Sequence, residues 1–137
     1  LVEERGAAAV PQLMHARLLS PRTANFQQRF EVGVNETVLG DFPCSLHYQA
    51  VLRPGVLHVS TRHVCFETSL FPAANTKVPL VKVAAVERAR DPVFHVMPNA
   101  VRLTLDDASS IVFASFTDRD EAYSLLRRCV KSLLEAQ

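Results

Sequence analysis

The sequence predicts a mainly β domain: seven short strands forming a sandwich or small barrel, capped by one C-terminal α-helix and preceded by a short helical lead-in. Three observations carry the prediction. Between residues 42 and 116, apolar and β-branched residues fall into seven strand-like runs punctuated by turn residues at close intervals. Residues 117–137 then switch to the helical period. Finally, 137 residues with 48% hydrophobic side chains suffice for one core and not for several.

The elements follow in order. Residues 1–22 read as an N-terminal extension or linker, with a short helix from Pro11 to Leu19. The domain spans 23–137. In TANFQQRF, Thr23 is placed to cap a short helix carrying Phe26 and Phe30 on one face. PCSLHYQAVL alternates as a strand and stops at RPG, where Pro54 and Gly55 are turn residues. VLHVS and HVCFETS form a hairpin through Thr61 and Arg62. KVPL and VAAVERA follow, then the two-proline stretch RDPVFHVMPN, which no central strand accommodates. AVRLTL and SIVFASF are the last strands, joined by DDAS, whose paired Asp106 and Asp107 suit a hairpin turn. The final helix opens with a capping-box arrangement of Thr117 and Asp120. It sets Ala122, Leu125, Leu126, Cys129, Val130, Leu133 and Leu134 on one stripe, which covers the open mouth of the curled sheet.

Composition excludes several functions. A formal net charge of +1 supplies no global field for nucleic acid. The three cysteines, Cys44, Cys65 and Cys129, are odd in number and lack a CxxC, so neither a disulfide framework nor a zinc ribbon is indicated. His58, His63 and Cys65 are the nearest approach to a metal cluster, but a zinc site needs three or four convergent donors and no carboxylate stands beside them in sequence. Ser60 near these histidines has no G-x-S-x-G elbow and no orienting acid. No catalytic residues, metal ligands or cofactors are assigned. The chain begins at Leu1 without an initiator Met, and it is read as part of a longer polypeptide with other domains.

Charge is uneven along the chain. Residues 53–90 hold Arg53, Arg62, Lys77, Lys82, Arg88 and Arg90 against Glu67 and Glu87, a local balance of +4. Alternate turns of a meander share an end, which predicts Arg53 near Lys77 and the Phe71 loop, with Arg62 and Lys82 at the other end. Phe71, Phe94 and Met97 fall in loops, where large apolar side chains are candidates for contact with a membrane or a partner.

The runs PGVLHVSTRHVCF (54–66), VPLVKVAAVER (78–88), MPNAVRLTL (97–105) and VFASFTDRDEAYSLL (112–126), with NFQQRF and ETVLGDFPCSL upstream, resemble a GRAM domain. This is a branch of the pleckstrin-homology superfold, and the closest pattern is that of plant-type modules. The resemblance covers roughly residues 25–128. It implies a non-catalytic module that binds phosphoinositides or other anionic membrane lipids and targets a larger, cytoplasmic protein to membranes as a peripheral component. Lipid-binding residues would then be Arg53, Lys77, Arg88 and Arg90. The alternative is a protein-docking module without lipid, favoured by LFPAANTK carrying Lys77 as its only charge.

Overall fold

The computed structural model describes residues 26–136 apart from 29, 34 and 69–71. The expected Pro11–Leu19 helix, the Thr23 cap and Phe71 lie outside the described residues. The chain divides into two compact units, one ending at Val38 and the other beginning at Leu39. In the first, residues 26–28 and 30 are helical, and the Phe26 and Phe30 rings lie 5.2 Å apart as their spacing of four requires.

The second unit holds the sheet apart from Val38, where its first strand begins. Its strands are β1 (Val38–Tyr48), β2 (Val51–Ser60), β3 (His63–Glu67), β4 (Thr76–Pro79), β5 (Val83–Ala89), β6 (Ala100–Leu105) and β7 (Ser110–Ala114), followed by helix α1 (Arg119–Ala136). All seven pair in the order β4-β3-β2-β1-β7-β6-β5, so β4 and β5 are the edges. The sheet must curl. Phe66 on β3 and Phe113 on β7 are three strands apart, about 14 Å in a flat sheet, yet their ring centroids are 5.7 Å apart. Inward side chains from every strand therefore meet in one cluster, including Leu46, Leu57, Phe66, Val78, Leu103 and Phe113, and Ala122, Leu126 and Val130 of α1 complete it. The stripe read from the sequence packs as expected, except that Leu134 is 64% exposed.

Two local expectations need correction. The first hairpin turns at Gln49 and Ala50, both with φ near +60°, and not at Pro54–Gly55. A turn with two left-handed residues normally advertises itself with Asn or Gly, and here neither is present. Gly55 instead sits inside β2 because a Cβ there would lie 2.3 Å from the Glu67 carbonyl oxygen. Asp118, not Thr117, caps α1, its Oδ1 accepting the Glu121 N–H at 3.2 Å, while Asp120 turns to Arg88 and Arg119. The β2–β3 turn lacks Gly or Asn because Ser60 builds it: the fully buried hydroxyl accepts the N–H groups of Arg62 and His63 at 3.3 and 2.9 Å.

Candidate functional site

The opening of β5 onto β6 is a ten-residue loop, 90–99, whose backbone is organised by Asp91. Asp91 is buried and precedes a proline, the arrangement of a helix N-cap followed by Pro at the first turn. Its Oδ1 accepts the Val93 N–H at 3.0 Å and its Oδ2 the Phe94 N–H at 2.9 Å. The Asp91 carbonyl accepts the His95 N–H at 2.9 Å, and the Asp91 N–H donates to the Met97 carbonyl at 2.8 Å. Burial pushes this carboxyl's pKa up, but the N–H groups of Val93, Phe94, His95 and Val96 together hold it below the ordinary 3.8. A buried anion thus fixes one turn of backbone.

The turn exposes apolar side chains. Val93, Phe94, Val96 and Met97 are 41%, 76%, 67% and 57% exposed, within five positions. Arg90 and His95 are exposed among them. The neck of the loop is tied by Arg119 at the start of α1, whose Nη1 donates to the carbonyls of Ala89 and Ala100, both at 3.1 Å. Those carbonyls flank the loop on either side, so one largely buried guanidinium clasps both ends.

The residues singled out in the sequence disperse. Arg90, Phe94 and Met97 share this loop. Arg88 lies at its base but is turned to α1, where Nε donates to Asp120 Oδ1 at 3.0 Å and the guanidinium stacks over Tyr123 at 4.2 Å. Arg53 donates from Nε to the Tyr48 carbonyl at 3.4 Å across the first turn. The register sets Lys77 opposite Cys65, and Cys65 opposite His58. Lys77 is therefore level with His58, about 17 Å along the strand from Arg53 at ordinary rise, and Arg53 and Lys77 do not converge at the backbone. Arg62 and Lys82 do fall at one end, where the Arg62 carbonyl accepts from Leu80 N–H and the Lys82 carbonyl from Asp106 N–H. Val93, Val96, Asp91 and Arg119 escaped the sequence reading, although DPVF carries a capping signal ahead of apolar residues that match no strand or helix stripe.

His58 is not a ligand in waiting. Its Nδ1 meets Asp41 at 2.7 Å and its Nε2 meets Glu67 at 3.3 Å, two carboxylates that the strands bring from distant sequence and set on opposite sides of the ring. Among the described residues no three His, Cys, Asp or Glu groups are arranged to hold a metal ion. Among them, too, no helix is long and apolar enough to cross a membrane.

A family model described as GRAM domain matches residues 24–134. An uncharacterized membrane protein of Schizosaccharomyces pombe is 34% identical over 109 residues, covering 78% of this chain and 14% of that protein. The protein VASCULAR ASSOCIATED DEATH 1, chloroplastic, of Arabidopsis thaliana is 27% identical over 106 residues, covering 77% of this chain and 17% of its own length. The chain thus spans under a fifth of either relative. Among solved structures the Vps36 N-terminal PH domain superposes with a TM-score of 0.62 at 9% identity, covering 76% of this chain and 86% of that one, a likeness of fold.

Proposed function

From the premise that this chain belongs to the GRAM domain family, we propose that it is a non-catalytic module that binds phosphoinositides or other anionic lipids and carries a larger, cytoplasmic protein to membranes as a peripheral component. The observation that carries this reading is the set of four exposed apolar side chains on the loop held by Asp91. Removing them from water is worth on the order of 4–7 kcal/mol, using the usual range for side-chain burial scaled by exposure. Arg90 adds about 1 kcal/mol near an anionic leaflet. Apolar insertion, not the dispersed pair Arg53 and Lys77, therefore supplies most of the affinity. That the yeast relative is itself described as a membrane protein supports the same direction.

Sedimentation with vesicles tests the reading. Vesicles of phosphatidylcholine with phosphatidylserine and a phosphoinositide should pellet the chain, and phosphatidylcholine alone should pellet less. Equal pelleting by both, or no loss on Phe94→Asp with Met97→Asp, refutes it.

A further inference from the structure

An open groove of about 910 Å³ runs between β5 and α1, with none of residues 90–99 in its lining. Its strand wall is the unbroken run Ala84–Arg88. Successive strand residues point to opposite faces, so a groove that meets all five follows the backbone edge and not one face of the sheet. β5 ends the strand order with β6 as its only strand neighbour among the described residues, which leaves its outward N–H and C=O groups as a template for another strand.

The opposite wall is cationic. Arg127, Arg128 and Lys131 of α1 are exposed along it, and none of them enters an ion pair among the described residues. Apolar surface along the groove comes from half-buried Val86 and Tyr123 and from Leu134, which is 64% exposed, surface of the kind that takes alternate side chains of an extended chain. Glu87 is the single acidic residue lining the groove, and it is turned to Arg102 at 3.5 Å. Arg88 is already answered by Asp120. The uncompensated charge is therefore the row on α1.

We propose that this groove takes an extended acidic peptide, which adds to the free edge of β5 with its carboxylates against Arg127, Arg128 and Lys131. A lipid headgroup could answer the cations, but it has no use for the backbone edge or the apolar strip between the walls. Only a polypeptide matches all three features. The site is separate from the lipid-facing loop, so one domain would read a membrane and a protein segment together, and two weak contacts would act as one stronger one.

The probe is a fluorescein-labelled peptide alternating Asp or Glu with Val or Ile, followed by fluorescence anisotropy on the whole chain. Three control peptides accompany it, one with Lys at the acidic positions and two N-methylated at alternate residues, one in each register. The acidic peptide should bind and the Lys peptide should not. At least one N-methylated register should lose binding, since a methylated nitrogen cannot donate to the strand edge. Arg127→Glu with Lys131→Glu should weaken binding about tenfold, the size expected of two rim charges swung from attraction to repulsion. Phe94→Asp should leave it unchanged, which separates this site from the lipid reading. In isotope-labelled protein the amide shifts should concentrate at 84–88. Undiminished binding of both N-methylated registers, indifference to the charge reversals in a variant that melts normally, or shifts mapping elsewhere would overturn the proposal. So would full displacement of the peptide by inositol hexakisphosphate combined with undiminished binding of the N-methylated forms, which marks a simple anion site.

Discussion

Asp91 Oδ2 accepts the backbone N–H of Phe94 at 2.9 Å, so a buried carboxylate holds in place a phenyl ring that is 76% exposed. Order in the backbone and exposure of the side chain are coupled at one residue pair, and this coupling has a pH signature. The folded carboxylate keeps its charge more tightly than the unfolded one, because four loop N–H groups outweigh the effect of burial. Its stabilisation is therefore fully present above the ordinary value of 3.8 and is lost as pH falls through the lower folded-state value. Asp107, bonded by Ser109, and Asp120, bonded by Arg88 and Arg119, shift in the same direction. The urea midpoint should fall as pH is lowered from 5 to about 2, and Asp91→Asn should flatten part of that fall. A flat midpoint over this range would contradict the geometry.

Phe94→Ala should reduce affinity for anionic vesicles about tenfold, the value of most of one phenylalanine side chain. Arg53→Glu with Lys77→Glu should cost less, since the two residues stand apart along β2 and β4 and do not act as a pair. A larger loss from the charge reversals than from Phe94→Ala would move the lipid site away from residues 90–99.

Arg119→Ala removes two hydrogen bonds to the carbonyls that bracket the loop and should destabilise the fold by about 1–3 kcal/mol. Amide exchange at 91–99 should accelerate more than exchange in β1–β3, because the clasp acts at the neck.

Gly55→Ala should be destabilising by about 1–3 kcal/mol through overpacking, since the added methyl meets the Glu67 carbonyl oxygen at 2.3 Å and the Phe66 ring at 2.6 Å. Gly33→Ala, with open space around its Cβ, is the control and should differ little.

Cys44 should resist alkylation at pH 8, because burial pushes its thiol up to about 12 and thiolate is the reactive form. Burial also raises the Cys129 thiol, and Cys65 is fully buried. Titration with a thiol reagent should read well below three groups in native protein and three after unfolding in urea.

What the sequence determined by itself is the architecture, because its signals are local periods. The sequence pattern marked five of the seven strands almost to their ends, β1 and β2 being the two it divided at the wrong turn, and the helical stripe of α1 was plain from Ala122 to Leu133. Where chemistry at a turn came from an unusual residue the signal failed: Gln49 and Ala50 do the work expected of Pro54 and Gly55, and Asp118 that expected of Thr117. Tertiary structure alone decided which charges meet. Strand register parted Arg53 from Lys77, helix packing turned Arg88 onto Asp120 and Tyr123, and the curl of the sheet set Asp41 and Glu67 around His58. A period can be read along a chain, but a contact between distant residues depends on how the strands are stacked, and no single strand contains that information.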